Sequence, residues 1–238
     1  MYRIYDSKCS FCSEFRMKTS NEVRELFDEE NITRLVQPRI NRKNSKLIVM
    51  PDICPILEGH ALICPVNHYE SFYFAKPLLV FRELYQLILK IKNCYSFSEN
   101  VIFYEHGGNS CNKTGQCVSH AHVHFFPCTN ENIRKLNLAL EKDTRLIKIV
   151  EVYGESNYWN ILKKIQDFAG YIAVFFFQEE KILWNLYYAN NIPSQFIRHT
   201  FAYVNKIPPS ILEIEDIKVS IKKTIYELQN NLLRYDEV

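Results

Sequence analysis

No apolar run in this 238-residue sequence approaches the ~20 residues that a membrane-spanning helix needs. The opening stretch, MYRIYDSKCSFC, lacks the apolar core of a secretory signal. Net charge is only +2, and the basic residues gather into no patch, so neither a nucleic acid nor a membrane surface is an expected partner. Internal repeats and low-complexity tracts are absent too, which excludes solenoids and disordered linkers. A cytoplasmic protein is the expectation. Hydrophobic residues make up 47% and charged residues 24%, the balance of a globular chain that buries a core in one large domain or two small ones.

Eight cysteines are present, but a chain of this length needs no disulfide framework to hold a core. In a reducing compartment, a close cysteine pair with histidines elsewhere reads first as a metal site. Cys9-Ser10-Phe11-Cys12 is such a pair. Its two thiolates can grip one Zn²⁺, and tetrahedral closure requires two further ligands. Cys54, Cys64, Cys94 and Cys128 read as small buried apolar residues, and Cys111 as a loop thiol.

Hydrophobic spacing predicts a short helix within Ser13–Glu30 and an amphipathic helix over Pro77–Cys94. Strands are expected at Leu47–Met50, His60–Cys64, Val101–Glu105 and His120–Phe126, the last closed by Pro127. A glycine-bearing loop, His106–Gly115, lies between the last two. After Cys128 the pattern gives a polar segment, a strand near Leu146–Val152 and a helix near Tyr158–Phe168. The run Tyr171–Phe177 pairs antiparallel with Ile182–Tyr188 across Gln178–Lys181, and helices near Ser194–Val204 and Ile211–Leu233 finish the chain. Two parts are expected: residues 1–128 and an α+β extension over residues 129–238.

The chemistry concentrates in Gly115-Gln116-Cys117-Val118-Ser119-His120-Ala121-His122-Val123-His124. Residues two apart on a strand share a face. His120, His122 and His124 therefore project from one side, and Ala121, Val123 and Phe125 pack on the other. Three aligned imidazoles are costly to desolvate without a function, so they point to a metal or catalytic site. Of the six glycines, Gly107, Gly108 and Gly115 precede this strand, where backbone can approach phosphate closely.

These blocks resemble the histidine triad (HIT) superfamily. Its signature is three histidines spaced by single apolar residues behind a Gly-Gln-Ser/Thr-Val-x segment. Pro51-Asp52-Ile53-Cys54-Pro55 and Glu58-Gly59-His60-Ala61-Leu62-Ile63-Cys64-Pro65-Val66-Asn67-His68 resemble its upstream blocks, in the same order. The resemblance implies an α+β fold, a HIT-like antiparallel sheet with flanking helices that often forms a homodimer. It implies a hydrolase that cleaves a nucleoside phosphoanhydride or phosphoramidate at the α-phosphate and releases a nucleoside monophosphate. Alternatives are a nucleotidyltransferase of the uridylyltransferase type and a non-catalytic zinc-stabilised interaction module.

In residue terms, the resemblance makes His122 the nucleophile, which forms a nucleotidyl-imidazole intermediate. His124 lines the phosphate site and helps to orient that nucleophile. Asp52 falls where the family holds ribose hydroxyls, Asn109 where it touches phosphate, and His60, Gln116 and Cys117 complete the nucleotide pocket. Cys117 departs from the usual Ser or Thr, and a thiol is a weaker donor. Zinc-bearing relatives supply the two missing metal ligands at positions matching His68 and His120, so the implied structural zinc site is Cys9, Cys12, His68 and His120. Further on, Pro193-Ser194-Gln195-Phe196-Ile197-Arg198 resembles a segment that follows the domain in some bacterial members. It places Arg198 near the start of a helix opened by Pro193 or Ser194, where it could bind a distal anion.

Overall fold

The computed structural model describes residues 6–15, 46–72, 78–95, 97–108, 118–153, 170–189, 191–208 and 214–234. Seven strands run β1 (Leu47–Pro51), β2 (Ala61–Pro65), β3 (Asn100–Gly108), β4 (Val123–Cys128), β5 (Leu146–Tyr153), β6 (Gly170–Gln178) and β7 (Lys181–Ala189). Among the described residues the helices are α1 (Ser10–Phe15), α2 (Leu78–Cys94), α3 (Asn130–Lys142), α4 (Phe196–Val204) and α5 (Ile214–Arg234). The strands form one sheet in the order β1-β2-β4-β3-β6-β7-β5, with every neighbouring pair antiparallel. The expected α+β class, an antiparallel sheet with flanking helices, is the one observed. Residues 129–238 add β5, β6 and β7 to the same sheet through the β3–β6 ladder.

Helices cover both faces, which is why strands such as GYIAVFFFQ are apolar throughout and do not alternate. On one face Val49, Ile63, Phe103, Phe125, Phe175 and Trp184 pack against α2 and α5, which contribute Leu84, Ile88, Ile225 and Leu228. The opposite face carries Ile102, Phe126, Val174 and Leu183 against Ile133 and Leu136 of α3 and Phe201 of α4. At the β1–β2 end of that second face, Met50, Leu62 and Cys64 meet α1. Gly59 has φ +85, and a Cβ there would sit 2.9 Å from both Pro127 and Tyr95. Its N–H donates to Thr224 at 3.2 Å and its carbonyl accepts from the Tyr95 hydroxyl at 2.9 Å, so α5 pins the turn that leads into His60.

Several expectations change. The segment after Cys128 is helix α3, not a polar connection. Thr129 caps it by accepting from Asn132 N–H at 3.1 Å, while the Asn132 side chain accepts from the Thr129 N–H at 3.0 Å. Gly107 and Gly108 lie within β3, paired with Tyr171 and Gly170, and not in a phosphate loop. A Cβ on Gly107 would fall 2.3 Å from the Tyr171 ring, so this glycine makes room for an aromatic side chain. Helix α4 opens at Phe196, after Gln195 in the left-handed region (φ 58), and neither Pro193 nor Ser194 starts it. Cys54 is exposed, not buried, whereas Cys64, Cys94 and Cys128 are buried as expected. Most of the helix expected within 13–30, the helix near 158–168, and Cys111 lie outside the described residues. Among the described residues no helix is long and apolar enough to cross a membrane.

Candidate functional site

Strand β4 proper starts at Val123, so His120 and His122 stand on the extended segment just before it. Ala121 N–H donates to the Tyr69 carbonyl at 2.6 Å, which ties that segment to the stretch after β2. The alternation carries through: Ala121, Val123 and Phe125 enter the α2–α5 core, and the three histidines face the other way.

Each imidazole has a different set of partners. His120 donates from Nε2 to the Pro65 carbonyl at 2.8 Å, so its Nδ1 is the lone-pair nitrogen. That Nδ1 lies 3.5 Å from both Cys9 Sγ and Cys12 Sγ, and Cys12 Sγ is 3.3 Å from His68 Nδ1. All four ligand atoms lie within 4.8 Å of one another and all four residues are buried. A tetrahedral Zn²⁺ with ordinary Zn–S and Zn–N bonds sets S···N separations of about 3.6 Å. The observed spacings match that geometry, so the buried Cys₂His₂ cluster can hold a metal ion. Residues 9 and 12 lie on and beside the one-and-a-half turns of α1, which stand on β1 and β2.

His122 is buried and donates from Nδ1 to the His120 carbonyl at 2.6 Å. In the neutral ring Nε2 is then the nitrogen with the lone pair, the state that a nucleophile requires. Phe11, between the two cysteines, presses edge-on against this ring with centroids 5.6 Å apart. The knuckle thus touches both His120 and His122.

His124 belongs to a second group. It stacks flat on Tyr104 of β3, with centroids 4.6 Å apart and planes 7° from parallel. His60 accepts the Ile56 N–H at its Nδ1, at 3.1 Å, which leaves its own proton on Nε2. That Nε2–H donates to His124 Nδ1 at 3.0 Å. His124 then carries its proton on Nε2, and the His122 ring centroid is 4.9 Å away.

Asp52 anchors the group from the β1–β2 loop. Its Oδ2 lies 3.4 Å from His124 Nδ1, 3.6 Å from His60 Nε2 and 3.7 Å from Arg198 Nη1, while Oδ1 accepts from Cys54 N–H at 2.8 Å. Burial alone would raise this carboxyl, but its interactions with His60, His124 and Arg198 outweigh burial and hold Asp52 well below the usual carboxylate range. Burial likewise pushes His60 down to about 3, so His60 is neutral at pH 7. Arg198 is then the fixed counter-charge of Asp52. Asp52, His60 and His124 are close enough together to ligate a second metal, but the guanidinium beside the shared carboxylate oxygen opposes another cation.

The structure therefore brings Cys9, Cys12, His68 and His120 together on one side of His122, and Asp52, His60, His124 and Arg198 on the other. Asn109, Gln116 and Cys117 lie outside the described residues. Sequence reasoning missed one member. Tyr104 is placed by its register opposite His124, which no local pattern announces. Arg198, expected to reach a distal group, instead meets Asp52 because α4 packs beside β4, with Phe201 and Phe126 at 4.7 Å.

No family model matches the chain, and no curated protein matches it. Among solved structures it is similar to a zinc-bound histidine triad family protein from Mycobacterium smegmatis, at 18% identity over 51% of this chain and 76% of that one, with a TM-score of 0.36. It is similar to a DUF4931 family protein from Bacillus cereus at 16% identity, covering 77% of this chain and 97% of that one, with a TM-score of 0.43. It is also similar to yeast Ap4A phosphorylase in complex with AMP, at 12% identity over 73% and 72%, again with a TM-score of 0.43. Histidine triad proteins are thus among the solved structures that the chain is similar to.

Proposed function

We propose that the protein is a histidine-triad nucleotide hydrolase. The observation that carries this reading is the tautomer of His122. With Nδ1–H tied to the His120 carbonyl at 2.6 Å, Nε2 is the nitrogen left to act as nucleophile, and the ring is held in place. Nε2 attacks the α-phosphorus of a nucleoside phosphoanhydride or phosphoramidate, and the bond from phosphorus to the leaving group breaks with its electron pair. The leaving group departs and takes up a proton. Water then attacks the nucleotidyl-imidazole, releases the nucleoside monophosphate and restores His122. Splitting one substitution into two lowers each barrier.

The neighbouring residues take supporting roles in this scheme. His124 Nε2–H donates to a phosphate oxygen as its charge develops. The relay from Ile56 N–H through His60 fixes the tautomer that makes this possible. Arg198 balances Asp52 and offers its remaining N–H groups to phosphate or ribose. Cys9, Cys12, His68 and His120 hold a structural zinc, and Phe11 on the same knuckle braces the His122 ring. The proposal is tested by quenching a reaction within milliseconds and looking for a nucleotidyl adduct on His122.

A further inference from the structure

On the α3-covered face of the sheet, toward its β7–β5 edge, an open cleft of about 650 Å³ lies between α3 and the strands. That volume is within the range of small-molecule sites, and none of the histidine-site residues lines it.

Its central feature is Asn185. On β7, Leu183 and Tyr187 face the α3–α4 layer and join its core. Asn185 falls between them at the same period, where an apolar side chain would be ordinary. It is 2% exposed, and among the described residues its Oδ1 has no hydrogen-bond partner. From the facing helix, Asn137 brings a second buried Oδ1 without a partner among the described residues. A buried acceptor left unpaired costs stability, so such groups call for an explanation. Asn100, on the same cleft wall, shows the contrast. Its amide donates to Asn130 at 3.0 Å and to the Phe177 carbonyl at 2.7 Å, and its oxygen accepts from Val101 and Phe177 N–H, so it is fully used by the fold.

Charge selects the ligand further. Five glutamates line the cleft against two lysines and one arginine, which leaves −2. Each of those three basic side chains is engaged. Lys148 holds Glu141 at 3.3 Å and Glu151 at 2.8 Å, Lys92 pairs with Glu180, and Arg134 pairs with Glu131. The cleft therefore offers acceptors and negative charge. Its floor is apolar, with Phe176 and Leu183, and the Phe177 ring already carries the Lys92 ammonium at 4.9 Å.

We propose that this cleft binds a small aliphatic polyamine. Its ammonium groups donate to the amide oxygens of Asn185 and Asn137, and its methylene chain lies over Phe176 and Leu183. Calorimetric titration of the full chain with spermidine at low ionic strength tests this, with an octanediol of matching length as the neutral control. Spermidine is expected to bind with a Kd below about 1 mM, and to weaken as salt rises. Asn185→Leu restores the apolar period of β7. It is expected to weaken binding about tenfold or more without lowering the melting temperature. Glu179→Gln, at the exposed turn, reduces the cleft charge and is expected to weaken binding several-fold. No binding up to about 10 mM, equal binding of the diol, or unchanged affinity in both variants would overturn the proposal.

Discussion

Replacing Arg198 by methionine keeps most of the side-chain volume of α4 and removes the charge that faces Asp52. Breaking a fully buried ion pair by deleting one partner costs ~3–5 kcal/mol. Here the closest approach is 3.7 Å, the two side chains are 13% and 8% exposed, and Asp52 keeps the Cys54 N–H at 2.8 Å. We therefore expect a loss of about 2 kcal/mol, equivalent for a chain of this size to a fall of roughly 4–8 °C in Tm. The pH dependence follows from the depressed carboxyl. Asp52 in the folded protein lies below its unfolded value near ~4, so the pairing contributes fully above that value and is lost as pH falls toward the folded one. The difference in Tm between parent and variant should be level from pH 7 down to about 5 and close below about 4. Thermal unfolding followed by circular dichroism across that range is the assay. It is repeated in an Asp52→Asn background, where Arg198→Met should cost under about 0.5 kcal/mol. An equal cost in both backgrounds would refute the pairing.

Two further outcomes bear on other parts of the molecule. Purified protein should contain one zinc per chain, and Cys9→Ser or Cys12→Ser should lose it together with thermal stability; stoichiometric zinc retained in both variants would refute the four-residue site. Glu105 is buried on β3, and burial pushes its carboxyl up to about 7 despite the Tyr171 hydroxyl at 2.6 Å and the Phe72 N–H at 2.8 Å. Since its folded value exceeds the unfolded one, ionising it costs stability as pH rises from about 4.5 to 7. Glu105→Gln should therefore stabilise the protein at pH 8 and leave it unchanged at pH 4, and urea unfolding at both pH values measures this.

The features legible in the sequence are those with a local signature. The period-two histidines required only the geometry of an extended chain, and most strands and helices showed in their apolar runs. The Cys-x-x-C pair announced two ligand-type residues, but a 56-residue separation divides Cys12 from His68. That pairing came from the family resemblance, not from spacing. Helix α3 was obscured because only Ile133, Leu136 and Leu140 of its 13 residues are buried, so its surface reads as a polar connection. Gly107 and Gly108 suit a phosphate loop by sequence alone, because glycine tolerates both loops and crowded strands. Only the Tyr171 ring across the ladder decides between them. Arg198 and Tyr104 enter the site through helix packing and strand register, and neither is a property of a short segment.

The central claim is that His122 carries the nucleotide between the two steps. Intact-protein mass spectrometry after rapid mixing with a dinucleoside polyphosphate or an adenosine phosphoramidate, quenched in base to preserve the phosphoramidate bond, tests it directly. The account predicts a transient adduct of one nucleotidyl group, mapped to His122, that decays as the nucleoside monophosphate appears. It also predicts no adduct and no turnover from a folded His122→Ala variant. An adduct on another residue, or a variant within about tenfold of the parent rate, a barrier change of only ~1.4 kcal/mol, would contradict it.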